Sequence, residues 1–287
     1  MNVNSLKHDD SDYPQILKNI PDAPKQLFWT GSPMSEWLDC PKVAIVGSRK
    51  ASAYGRQVTT EITGQLARTG VIIISGLAYG IDSIAHQVAL EAGGRTVAVL
   101  PTGLDKIYPA AHQNLARQIT DSGGTLISEY APGSEVFKLN FIARNRIVSG
   151  LSDALLITAA AINSGSLHTA QFALAQGKTV MAVPGNITSP GSVGCNNLIK
   201  SGAVPVTDVD DVFFTLNIKS TDKIRPKPFR GSGDEEKVLQ LIRQGLSAQE
   251  DLAQAAGLTG PVVASALTML EISGYIRPAG GGQWLAV

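Results

Sequence analysis

The chain is 287 residues long, room for one large domain and a small second one, and its 44% of hydrophobic residues excludes a disordered chain. Acids and bases balance at 24 each, so any attraction to nucleic acid has to come from local clusters of charge. Two cysteines, Cys40 and Cys195, exclude a disulfide framework or a cysteine-based zinc site, and no apolar run exceeds 154–162, far short of a membrane span.

Residues 1–40 begin polar and acidic, without the apolar stretch of a signal peptide, and a cytoplasmic protein with no membrane contact is expected. Prolines at 14, 21, 24 and 33 and the aromatics Tyr13, Phe28, Trp29 and Trp37 predict an irregular arm packed on the core. Over 41–216, apolar β-branched runs at 43–47, 71–75, 96–100, 125–128, 154–158, 179–183 and 204–207 predict strands. Most are apolar on both faces, as in strands covered by helices on either side. Helix-length segments lie between them, at 55–69, 82–92, 110–122 and 165–176. The alternation predicts an α/β fold: an extended Rossmann-like, doubly wound, mostly parallel sheet that binds ligands at the carboxyl ends of its strands.

Residues 217–233 carry two prolines, two glycines and five basic residues, and are expected to be an exposed linker. Beyond it, 234–287 predicts three short helices and a β-hairpin, a small C-terminal winged-helix domain. Ser247 followed by Glu250 suggests a capping box at the second helix.

The loops after the strands carry the candidate chemistry. Gly47-Ser48-Arg49-Lys50 opens a helix, where unpaired amides and two full charges favour a phosphate. It is neither a dinucleotide fingerprint nor a Walker loop, and a plain strand-to-helix turn with solvated bases is the alternative. In the second loop, Gly76 and Gly80 let the backbone approach a ligand, and Asp82 can cap the next helix. Asp82 and His86, four apart, are expected to be a buried structural pair.

The densest signal is 138–146, expected on one helix. There Lys138, Arg144 and Arg146 supply charge, Asn140 and Asn145 supply amides, and Phe141 offers a ring for a base to stack on. If Arg144 and Arg146 instead tie the helix to neighbouring carboxylates, the lysine and the ring beside them go unexplained. Replacing both arginines with alanine is therefore expected to weaken DNA binding with little loss of stability. Ser164-Gly165-Ser166 can cap a helix or donate to a phosphate, and Pro184-Gly185 adds a further close-approach loop. Gly177-Lys178-Thr179 precedes a strand, the reverse of Walker order, and the four histidines lack metal spacing. No catalytic constellation, metal or cofactor is expected.

The stretches VAIVGSR, SGLAYGIDSIAH, AVLPTGLDKIYP, SEYAPG, NFIARNRIVSGLS, SGSLHTA, AVPG and NNLIKSGA run in order over about 43–215. In these the chain resembles the DNA-processing protein A family, and its last fifty residues resemble the winged-helix module of many members. The resemblance implies a homodimer, formed through the Rossmann-like domain, that binds single-stranded DNA and passes it to the RecA recombinase, notably in natural transformation. It implies DNA contacts at Arg49, Lys138, Phe141, Arg144 and Arg146, with Gly47, Ser48 and Ser164 to Ser166 supporting phosphates. Three positions depart from the family pattern: Tyr79 stands in place of an arginine, Ala159 lies where a carboxylate is usual, and Ile142 replaces a proline. The alternatives are a nucleotide-binding enzyme or sensor, whose PGG-x-GT-x-x-E signature is absent, and a duplex-binding regulator. The third C-terminal helix carries no base and one acid, which speaks against groove readout.

Overall fold

A computed structural model describes residues 3–218, 231–273, 275–280 and 282–286, so most of the expected linker, 219–230, lies outside the described residues. The chain divides into two compact units, Met1–Ile224 and Arg225–Val287.

In the first unit the elements follow as β1 (Asn4–Lys7), α1 (Gln15–Lys18), β2 (Gln26–Gly31), β3 (Lys42–Gly47), α2 (Ala53–Arg68), β4 (Ile72–Ser75), α3 (Ile81–Glu91), β5 (Thr96–Val99), α4 (Gln113–Asp121) and β6 (Thr125–Ser128). Then come α5 (Asn140–Ala143), α6 (Asn145–Leu151), β7 (Ala154–Ala159), α7 (Ser166–Ala175), β8 (Thr179–Ala182), α8 (Val193–Lys200), β9 (Val204–Pro205) and α9 (Val209–Thr215). One nine-stranded sheet runs in the order β1-β2-β6-β5-β4-β3-β7-β8-β9. Strands β3 to β9 pair parallel, and the order reverses between β3 and β7. That reversal is a topological switch point, with the loops after β3 and β7 on either side of it.

The apolar runs are explained by cores on both faces of the sheet: in one, Ala98, Leu100 and Leu126 pack with Leu115 and Ile119 of α4, and two larger ones divide β3, β7 and β8 between them. Along β3, Val43 and Ile45 point into one and Ala44 and Val46 into the other. The same alternation separates Leu156 from Leu155 and Ile157, and Met181 from Val180 and Ala182. Helices α2, α3 and α9 cover one face through Leu66, Ala85 and Phe213, while α1, α6 and α7 cover the other through Leu17, Ile147 and Ala173. Each valine, leucine, isoleucine, methionine or phenylalanine buried in this way contributes about 1.5–3 kcal/mol.

The first forty residues are not an irregular arm. Strand β2 pairs antiparallel with β6, Phe28 opposite Ser128, and β1 pairs antiparallel with β2, Asn4 opposite Trp29. The segment thus covers an edge that β6 would otherwise expose. Trp37, fully buried, donates its indole N–H to Thr125 Oγ1 at 3.0 Å, and Tyr13 donates its hydroxyl to the Pro24 carbonyl at 2.7 Å.

Asp82 and His86 are both buried but do not pair with each other. His86 Nδ1 lies 2.7 Å from Thr96 Oγ1, and Thr96 donates its hydroxyl to the Ile73 carbonyl, so the imidazole Nδ1–H is the donor in the first bond. Burial pushes the His86 pKa down to about 3, and His112 and Arg144 push it the same way. The unfolded chain takes up this proton below about pH 6.5, whereas the folded one refuses it until about pH 3. Stability is therefore lost as pH falls through that window, by about 1.4 kcal/mol per pH unit. Urea unfolding between pH 6 and 4 is expected to show a shallower decline for His86→Asn than for the wild type. Parallel declines would exclude this histidine as the cause.

The second unit contains α10 (Gly233–Arg243), α11 (Gln249–Ala256), α12 (Gly260–Ile272) and the hairpin β10 (Ile276–Gly280) and β11 (Gln283–Ala286). Three helices and a hairpin make a winged helix, closed over Leu239, Leu252, Leu267 and Leu270. The expected capping box does not form. The N-cap of α11 is Ala248, with no side-chain cap, because 247–248 joins the wing instead: Ser247 O accepts from Trp284 N, and Ala248 bridges to Gln283.

Candidate nucleic-acid interface

The loops that leave the carboxyl ends of β3, β4 and β5 meet around one pocket, lined by Arg49, Gly76, Tyr79, Tyr108, Phe141 and Arg144 among others. Gly47 ends β3 where a Cβ would strike Ile81 and the Ala159 carbonyl, and Ser48 N donates to that carbonyl at 2.7 Å. Ser48 Oγ then accepts from Lys50 N at 3.1 Å, turning the loop so that Arg49 and Lys50 are exposed. Among the described residues neither base has an ion-pair partner.

The loop after β4 is held from inside. Asp82 does not cap α3, whose N-cap is Gly80; its carboxylate accepts from Gly76 N at 3.1 Å and Ala78 N at 3.4 Å. Burial raises the Asp82 pKa, and Arg144 and these amides oppose that rise. Gly76 is a glycine because a Cβ there would lie 2.5 Å from the Arg144 guanidinium.

Arg144 and Arg146 correct the expectation most sharply. The segment 138–146 is not one continuous helix: Arg144 forms the joint between α5 and α6. Its side chain turns inward, 4% exposed, and Nη1 donates to the carbonyls of Gly76 and Val99 at the ends of β4 and β5. Burial lowers its pKa to about 10, so it remains charged at neutral pH. Arg144 thus forms the charged wall of the pocket, with Nη1 committed to two backbone carbonyls and Nε to the Asn145 amide oxygen. Arg146 is also buried and lines a different pocket, with Leu139, Ile142 and Phe172. Its fork grips Glu129 at 2.8 and 2.7 Å, and Nε donates to Asp22 O at 2.8 Å. The ion-pair alternative holds for Arg146, which has no guanidinium edge left for a phosphate.

Lys138 is exposed and, among the described residues, has no ion pair. Phe141 is half-buried, its ring edge-on to Tyr108 at 4.9 Å. Asn140 is buried and donates to Pro101 O at 3.3 Å, and Asn145 accepts from Arg144 Nε at 3.2 Å, so both amides position the segment. Ser164 and Ser166 bond each other at 2.8 Å, and neither caps α7, whose N-cap is Gly165. Pro184 accepts the Tyr54 hydroxyl at 2.7 Å, and Gly185 exchanges two bonds with Asn196, at 3.1 and 3.0 Å. These two loops do not line the pocket. Sequence reasoning reached Tyr79 only as a departure from the family pattern at the pocket rim and missed Tyr108, although it lies in the loop after the predicted strand 96–100.

The family model for DNA recombination-mediator protein A matches residues 4–217, and the DprA winged helix domain matches 224–282. Protein Smf of Escherichia coli is 37% identical over 98% of this chain and 77% of its own length. The X-ray structure of DNA processing protein A from Streptococcus pneumoniae superposes with a TM-score of 0.69 at 40% identity, covering 75% of this chain and 74% of that one. DNA processing protein A from Helicobacter pylori, whose structure was described for its single-stranded DNA binding mode, gives 0.67 at 32% identity, covering 76% and 96%.

Proposed function

From its membership of the DNA recombination-mediator protein A family, we infer that this chain acts by gripping single-stranded DNA at the carboxyl ends of β3 to β5 and performs no bond chemistry. The pocket carries the reading. It brings an exposed arginine, a buried charged one and an aromatic ring to one place in a molecule whose formal net charge is zero. Arg49 and Lys138 take phosphates, Phe141 stacks a base, and the inward charge of Arg144 adds field without a contact of its own. Arg146, Asn140 and Asn145 are positioning residues. The same membership supports pairing of two copies through the Rossmann-like unit and delivery of the strand to RecA recombinase during transformation. Neither a cofactor nor a metal belongs to this reading.

Titration of labelled oligo-dT and a matching duplex at several salt concentrations tests it. Tight single-strand binding is expected, with log affinity falling against log salt by about 0.7 per phosphate neutralised. Arg49→Ala and Lys138→Ala are each expected to lower that slope by about 0.7 and to leave the melting temperature alone. Equal preference for duplex would favour a duplex-binding regulator, and mononucleotide hydrolysis with little DNA affinity would favour an enzyme. Sedimentation of the chain as a dimer, and faster RecA assembly on a coated strand, check the remaining parts.

A further inference from the structure

One side chain in this pocket is used neither by the fold nor by the strand-binding reading. Tyr79 is 49% exposed and shares the pocket with Arg49, Tyr108 and Phe141. Its backbone is fixed from three directions. Asp82 holds the amides of Gly76 and Ala78. Gly80, at φ +81°, presses against the Ser48 carbonyl and the Arg49 backbone so closely that a Cβ would collide with both. The Leu77 carbonyl accepts from His112 Nδ1 at 2.8 Å.

That same His112 also supports the ring. Tyr79 packs edge-to-face on it, with centroids 4.9 Å apart and planes inclined at 67°. A ring braced in this way has already lost its freedom in folding and can receive a flat partner at little further entropic cost. Nearby, Tyr108 and Phe141 brace each other at 4.9 Å and 78°. Rings from two loops and from helix α5 therefore line one pocket beside two guanidinium groups.

We propose that Tyr79 stacks on a nucleobase of the bound strand, and so sets how much of the affinity comes from bases and how much from phosphates. The inference rests on the strand-binding reading above. A tyrosine brings no charge, so what it contributes is insensitive to salt and tolerant of sequence, unlike a phosphate contact.

The test compares oligo-dT with an abasic strand of equal length, which keeps the phosphates and lacks the bases, by fluorescence anisotropy at three salt concentrations. Tyr79→Ala is expected to weaken dT binding about 5- to 100-fold, to leave the abasic strand within about twofold, and to keep the salt slope. Tyr79→Phe, which retains the ring, is expected to bind like the wild type. Tyr79→Arg is expected to steepen the slope by about 0.7 and to narrow the gap between the two strands. Wild-type-like binding of dT by Tyr79→Ala, or an equal loss on both strands, would overturn the stacking role and leave the strand-binding reading standing. Failure of the wild type to bind dT at all would overturn both.

Discussion

Arg144→Ala is expected to lose about 3–5 kcal/mol of unfolding free energy, a drop in melting temperature on the order of 10 °C. The guanidinium is 4% exposed and satisfies the Gly76 and Val99 carbonyls, which close the ends of two central strands. Truncation leaves both carbonyls without this donor, and each buried unsatisfied group costs about 1–3 kcal/mol. It also removes the chief positive neighbour of the buried Asp82 carboxylate, whose ionised form then becomes harder to hold. Arg144→Lys keeps the charge but not the planar guanidinium that bonds two carbonyls through Nη1 and Asn145 through Nε, so an intermediate loss is expected. Guanidinium denaturation curves of the three proteins check the order. An alanine variant that melts like the wild type yet loses DNA would show that the side chain leaves its buried seat to grip phosphate.

Arg146→Ala is expected to cost about 3 kcal/mol and to loosen the N-terminal segment without weakening DNA binding of the folded protein by more than about twofold. The side chain joins α6, the loop after β6 and the turn at Asp22, and the Glu129 partner is only 16% exposed. Losing the arginine strands that carboxylate and removes the bond at Asp22, so amides near 20–25 should exchange faster. A double-mutant cycle with Glu129→Gln is expected to give a coupling of about 1–3 kcal/mol, since the two side chains share a bidentate contact. Arg49→Ala should do the reverse, cutting affinity and sparing stability. A greater than tenfold affinity loss in Arg146→Ala at unchanged stability would return it to the binding surface.

These expectations invert those drawn from the sequence for the two arginines. The motif 138–146 located a real concentration of charge, but the direction of each side chain depended on groups far along the chain. Arg144 meets carbonyls 68 and 45 residues away, and Arg146 meets a carboxylate 17 residues away and a carbonyl 124 residues away. No helical periodicity encodes such partners. The N-terminal strands were hidden for a related reason: Gln26–Gly31 becomes a strand by pairing with the edge of β6, and its mixed polarity between Pro24 and Pro33 predicts nothing alone. Ser247 lost its capping role in the same way, to the wing strand.

What the sequence determined by itself was the alternation of doubly apolar strands and helices, the order of the glycine-bearing loops and the three-helix hairpin module. All of these follow from local periodicity and turn chemistry, which act within a dozen residues. Only the tertiary structure decided which charges face solvent. A guanidinium stays in water unless the fold delivers acceptors to it inside, and those acceptors come from strand ends and turns that meet only once the sheet has closed.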